Sequence, residues 1–380
     1  MRLIFTSQGR TAMINADGSG LRYFEFDVPE QETWQPCAFF SDGRRILLLS
    51  MEARRDGPGK PFAEYYHKTP THMWIYDVEQ DALSAIEMQQ HLAQFQTPQL
   101  LLNDERLLIQ VVHDEGGQIY NAHLDGTDAR PITHLGEGLP YGFSLSPDGR
   151  RLAYHLASPS GYQIWTSDPY GEHRTLVAAH DDHLYFGPSW SPDGEWLCYQ
   201  ACLYRQDPGH DWADLCISRP DGSEQHWLTT GQSVWFAATY GPLERHGGGS
   251  NMPGWAHDGA VLASCRLRGA NVPWQYQAQR PDVDHFNREF MPQEARGGAH
   301  ICRIEIDAKT SKRPLTEARQ SVWDFRQSLS PDRTQLLFCR APTGESPSIW
   351  VAEADGKAAR LLSRGWRDLG ADHPRWMPSV

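Results

Sequence analysis

A short turn recurs along this 380-residue chain and limits its fold more than any other feature. Ser146-Pro147-Asp148-Gly149 and Ser191-Pro192-Asp193-Gly194 are full copies. Ser41-Asp42-Gly43, His257-Asp258-Gly259, Ser330-Pro331-Asp332 and Asn103-Asp104 are partial ones. Each follows an apolar or aromatic stretch and precedes a strand-like run, such as residues 45–49 or 151–155. Asp-Gly between two such runs marks a hairpin, because glycine takes up positive φ without a Cβ clash. A second turn series interleaves with the first: Asp17-Gly18, Glu79-Gln80, Asp125-Gly126, Pro169-Tyr170-Gly171, Asp221-Gly222, Asp307 and Asp355-Gly356. Two alternating series predict a repeated four-strand unit, A to D. The first series forms the A–B turns and the second the C–D turns.

Six complete units follow in order, with A strands beginning near Trp34, Gln96, Tyr141, Tyr185, Asn251 and Phe325. Residues 372–378 read as one more A strand with nothing after it. Residues 3–5, 12–14 and 22–26 supply the missing B, C and D strands. The expectation is an all-β, seven-bladed β-propeller with four antiparallel strands per blade, one domain over 1–380. Blade 7 is built from 1–28 plus 371–380, a Velcro closure pairing 372–380 with 3–7. Closing the ring removes the open sheet edges that template aggregation.

Charge and composition narrow the function classes. Asp plus Glu number 48 against 35 Lys plus Arg, a formal charge of −13, which argues against a nucleic-acid partner. No apolar run approaches the roughly 18 residues of a membrane span, so no membrane partner is expected. The start of the chain turns polar too early for a signal peptide. Seven cysteines without a CxxC pair read as reduced thiols in the cytoplasm.

The units are unequal. Extra residues fall at 52–72, 203–214, 231–250 and 267–300. These are B–C loops and one D–A loop, which share one face of an antiparallel blade. The insertions are therefore expected to gather at one mouth of the channel, with 267–300 folded over it. A ligand pocket and a partner-shielding surface are both open readings of such loops. Their content favours an anionic, ring-bearing ligand: Arg245 and His246 in one loop, His285, Arg288 and Arg296 in another, aromatic residues between. Arginine forks grip carboxylates, and aromatic faces take up sugar rings.

The A strands line the channel. Counting back from the A–B turns aligns Pro36, Gly142, Gly187, Met252, Arg326 and His373, with Gln35, Tyr141, Phe186, Asn251, Phe325 and Asp372 one position earlier. Arg326, His373, Asn251 and Gln35 are the polar channel candidates, with His183 and Tyr185 slightly higher. His373 is the first choice of proton-transfer base, then His183 or His285. Arg326 is the carboxylate clamp, and Arg288, Arg296, Asn251, Arg245, His246, Gln35 and Tyr185 contact substrate. If His373 is a metal ligand instead, His183 is its partner.

The Ser-Pro-Asp-Gly repeats resemble those of TolB-type propellers over nearly the whole chain. The same repeat occurs in oligogalacturonate lyases and related propeller polysaccharide lyases, and in prolyl-oligopeptidase-type peptidases. No Gly-x-Ser-x-Gly elbow follows, which sets the peptidase aside. The lyase resemblance implies β-elimination on a small acidic, uronate-containing oligosaccharide. It also implies a divalent metal (Mn or Ca) held by a histidine cluster. His373-Pro374 matches the last histidine of that cluster. Trp323-Asp324-Phe325, Asn251-Met252 and Ala371 depart from it. The alternative is a non-catalytic TolB-like scaffold for a protein or ligand.

Overall fold

The computed structural model describes residues 1–52, 70–93, 96–101, 103–158, 161–203, 212–242, 247–271, 274–276, 288–307 and 311–378. Its regular structure is nearly all strand, and the fold is a β-propeller. Four sheets of four strands stand apart. One joins Arg22–Tyr23, Arg10–Asn15, Arg2–Ser7 and Asp372–Trp376. The next runs Gln31–Phe39, Arg45–Glu52, Thr71–Asp77 and Ala82–Ile86; two more cover Gln99–Leu100 to Arg130–Pro131 and Leu139–Leu145 to Thr175–Ala178. The strands from His183–Trp190 to Arg360–Ser363 hydrogen-bond into a 13-stranded sheet. The two ends of the chain meet: Arg2–Ser7 pairs antiparallel with Asp372–Trp376, Leu3 opposite Trp376.

The repeated turn is a hydrogen-bonded device. Ser146 Oγ donates to Asp148 Oδ1 (2.6 Å) and accepts from the Arg151 N–H (2.9 Å). The Ser191–Asp193 and Ser330–Asp332 turns repeat both bonds. The Ser146 bond draws the Asp148 carboxyl below its ordinary range. Thus the motif exists to close a hairpin, which is why it reports fold so well and function so poorly.

Two further repeats hold the sheets around the channel. The indole N–H groups of Trp190, Trp255 and Trp376 donate to the carbonyls of Ser144, Ser189 and Ser328, each on the preceding A strand. One B-strand position also reaches forward. Gln110 donates to the Pro140 carbonyl, Gln200 to Asn251 and Ser264 to Asp324, while His155 accepts from the Gly187 N–H. Apolar layers fill the space between sheets, as where Leu47 and Leu49 meet Leu107 and Ile109. Each such buried side chain contributes roughly 1.5–3 kcal/mol.

Of the insertions, 53–69, 204–211, 243–246, 272–273 and 277–287 lie outside the described residues. Part of the expected cover by 267–300 therefore falls there, Phe286 included. The described part of 231–250 forms a hairpin, Ala237–Tyr240 against Gly247–Ser250, and it does reach the channel-lining strands.

Candidate functional site at the channel mouth

Four of the six aligned A-strand positions share one backbone feature, Pro36 and Met252 being the exceptions. Gly142, Gly187, Arg326 and His373 have φ of 54°, 55°, 52° and 52°. Each sits in a register shift: between Tyr141 and Ser144, Phe186 and Ser189, and Phe325 and Ser328 on their A strands, and beside the Ile4–Thr6 shift against Asp372–Trp376. This is a β-bulge in the left-handed region, where a side chain costs roughly 1–2 kcal/mol. Two blades place glycine there. Two keep an arginine and a histidine despite the strain, which marks those side chains as worth holding.

Arg326 and His373 converge on Asp372. Arg326 Nε donates to Asp372 Oδ1 at 2.6 Å. The His373 N–H donates to the same oxygen at 2.7 Å, and His373 Nδ1 lies 3.1 Å from Oδ2. The Tyr240 hydroxyl, carried in by the inserted hairpin, also donates to Oδ2. Tyr240 stacks on Phe325 with centroids 4.9 Å apart. The remaining Arg326 N–H groups bond the hairpin backbone, at Ser250 (2.9 Å) and Gly248 (3.4 Å). Asn251 accepts the Arg326 bulge N–H through Oδ1 and donates Nδ2 to the Trp235 carbonyl. Both ends of its amide are thus occupied. Asn251 positions Arg326 and does not present a free amide to a ligand.

The electrostatics follow from this geometry. Burial lowers the Arg326 guanidinium to about 10, so it stays charged at neutral pH and needs the Asp372 carboxylate. Burial, helped by Arg326, also pushes His373 below its ordinary value, with Asp372 opposing. His373 is therefore neutral at pH 7. Its side chain is 36% exposed. With Nδ1–H donating to Asp372, Nε2 carries the lone pair and has no partner among the described residues.

Sequence reasoning undervalued Asp372 and missed Tyr240 and Arg375. Arg375 lies on the same strand as His373, and its Nη1 donates to the Cys37 carbonyl at 2.5 Å. Among the described residues it has no carboxylate partner. Burial and the nearby Arg326 charge both lower it.

The other expected residues are placed elsewhere. His183 contacts His180, Tyr185 and Trp227, and none of its contacts among the described residues is with Arg326 or His373. The His183–His373 metal pair is accordingly not assembled. Tyr185 is 2% exposed, packed edge-on against Tyr199, and burial raises its hydroxyl to about 12. It is a core residue because side chains alternate along a strand and its parity points between sheets. Gln35 is half-buried opposite Leu49. Arg296 is exposed, its backbone paired with Asn271. Arg288 lies in the Arg288–Phe290 strand, opposite Tyr276. His285, Arg245 and His246 lie outside the described residues.

A divalent metal does not fit this mouth. Among the described residues here, His373 is the one imidazole, Asp372 is fully engaged, and two guanidiniums flank them. Elsewhere, Asp168, Glu172 and His173 bring three donor atoms together in an exposed C–D turn. Asp168 Oδ1 there accepts the Tyr170 and Glu172 N–H groups, a turn-closing role that Asp125 and Asp221 share.

Comparison with known proteins supports the fold. Oligogalacturonate lyase in complex with manganese is 11% identical, with a TM-score of 0.56 over 96% of this chain and 85% of that one. The β-propeller domain of the trilobed protease from Pyrococcus furiosus is 12% identical, with a TM-score of 0.54 over 95% and 88%. The putative TolB from Agrobacterium tumefaciens is 14% identical, with a TM-score of 0.45 over 95% and 88%. No protein-family model matches the chain, and no curated protein matches it in sequence. The chain is similar in fold to oligogalacturonate lyase and to the trilobed-protease propeller, and at these identities the likeness is one of fold alone.

Proposed function

We propose that this chain is a carbohydrate-active lyase cleaving small, uronate-containing acidic oligosaccharides at the channel mouth. The observation that carries the reading is the Asp372–His373 pair: an imidazole whose Nδ1 is held by the carboxylate, neutral at pH 7, with no partner on Nε2 among the described residues. In β-elimination, His373 Nε2 takes the proton from C5 of the uronide. That electron pair forms the C4–C5 double bond as the C4–O bond breaks. The departing oxygen then takes a proton from the imidazolium or from water. The proton is acidic only if the neighbouring carboxylate is neutralised, and Arg375, which has no carboxylate partner among the described residues, takes that task. Arg326 instead holds Asp372 and the inserted hairpin. On this reading no metal is needed, and Arg245, His246, His285, Arg288 and Arg296 are candidates to complete the mouth.

The same reading takes the ring as seven blades closed by the chain ends, in the cytoplasm. Four separate sheets and three four-strand groups within the 13-stranded sheet support the count, and seven free cysteines support the compartment. Among the described residues, no helix is long and apolar enough to cross a membrane. One observation favours the alternative, a non-catalytic scaffold: every side-chain nitrogen of Arg326 is consumed internally. A panel of uronides followed for the absorbance of an unsaturated product separates the two. Product with the native chain and none with His373→Ala is expected. No product from any uronide, or full turnover by His373→Ala, overturns the lyase reading.

A further inference from the structure

A second cluster of nitrogen donors lies apart from the channel site. His180 and His183 bracket Asp181 and Asp182 in the D–A connection that opens strand His183–Trp190. Their Nδ1 atoms face each other at 3.2 Å, with the rings at 82° and centroids 4.7 Å apart. Two nitrogens each about 2.0–2.1 Å from one ion stand roughly 3 Å apart, so this is already the bite of a chelating pair. The connection holds the bite in place. The Asp182 N–H donates to His180 Nδ1 at 3.0 Å and orients that ring in the free chain, a bond that a metal ion would displace, and His183 is anchored by pairing with Leu203. With His180 Nδ1 accepting that bond, the contact between the rings is a His183 Nδ1–H donating to the same lone pair.

We propose that His180 and His183 form a surface chelate for a borderline divalent cation of the Zn, Ni or Cu class, a site independent of the lyase reading. Imidazole pairs select these ions over Mg and Ca, which demand oxygen. Binding moves the His183 proton from Nδ1 to Nε2, so two neutral rings bind without net proton loss. Asp181 and Asp182 are exposed beside the pair and supply a negative setting. Trp227, 41% exposed, sits with its ring 5.2 Å from His183 and provides a local reporter.

The test uses the full chain stripped with chelator and titrated with Ni or Cu ions alone, followed by calorimetry and tryptophan fluorescence. The expected result is one saturable event that quenches fluorescence and is lost in both His180→Ala and His183→Ala. His180 is exposed, so its variant tests the site without endangering the fold. Trp227→Phe should lose most of the quench while keeping the heat. Glu172→Gln, in the acidic turn, should bind as the native chain does. Persistence of the event in either histidine variant, its loss in Glu172→Gln, or no saturable event in the native chain overturns the proposal.

Discussion

The two sides of the channel share one backbone geometry and use it for opposite ends. At Gly142 and Gly187 the bulge carries no side chain, and the space is filled by neighbours. A Cβ on Gly187 would lie 1.5 Å from Met252 Cε, and one on Gly142 would lie 2.6 Å from the His155 ring. At Arg326 and His373 the same bulge carries the largest polar groups of the mouth. The glycine side is a closed packing solution with relaxed backbone. The Arg–His side stores strain and holds a charged network, Arg326–Asp372–His373 with Tyr240. A repeat protein shows such a contrast cleanly, because the relaxed blades are the internal control for the strained ones.

The largest effect that tests this contrast is on Asp372. Asp372→Ala removes the carboxylate that, among the described residues, alone is bonded to the buried Arg326, and should cost about 3–5 kcal/mol. Urea denaturation read as a midpoint shift at constant slope measures it. A cost under about 1 kcal/mol would mean that Arg326 finds water or another partner.

Swapping the two bulge types should give effects of opposite kind. Gly187→Ala places a Cβ at φ 55° and against Met252, and should cost about 1–3 kcal/mol. His373→Gly relieves the same strain and should stay within about 1 kcal/mol of the native chain while turnover is lost. Equal destabilisation by the two would erase the distinction drawn here.

Arg375→Gln should leave thermal unfolding nearly unchanged, since its described bond is to a single carbonyl, while weakening uronate binding by tenfold or more. Calorimetric titration with a monomeric uronate reads this without turnover. Unaltered affinity would remove Arg375 from the site.

The smallest expected effect is on pH dependence. His373, His183 and His300 are all held below their ordinary value in the fold, burial being the first cause of each. The unfolded chain therefore binds more protons around pH 6.5, and stability should fall as pH drops through about 6.5. The acid limb should be shallower in His373→Gln. A midpoint flat between pH 7.5 and pH 5.5 would contradict the assigned protonation states.

Much of this was legible in the residues. The turn motif placed the strands, and counting back from it put Gly142, Gly187, Arg326 and His373 in one row. What counting cannot give is which rows face each other. Tyr240 reaches Asp372 across 132 positions of sequence, through a hairpin whose path depends on how the sheets are arranged. His183 looked equivalent to the mouth residues by spacing, but strand parity turned it toward Trp227. Asp372 was visible in the aligned row. Its weight appears only when Arg326, His373 and Tyr240 converge on it.

The most direct test of the central claim, that His373 oriented by Asp372 is the working base at the mouth, is the pH–rate profile of uronide elimination. Product absorbance should rise with a single ionisation at or below about 6.5, and His373→Ala should abolish it with an unchanged melting temperature. A rate independent of pH across that range, or substantial turnover by His373→Ala, would contradict the account.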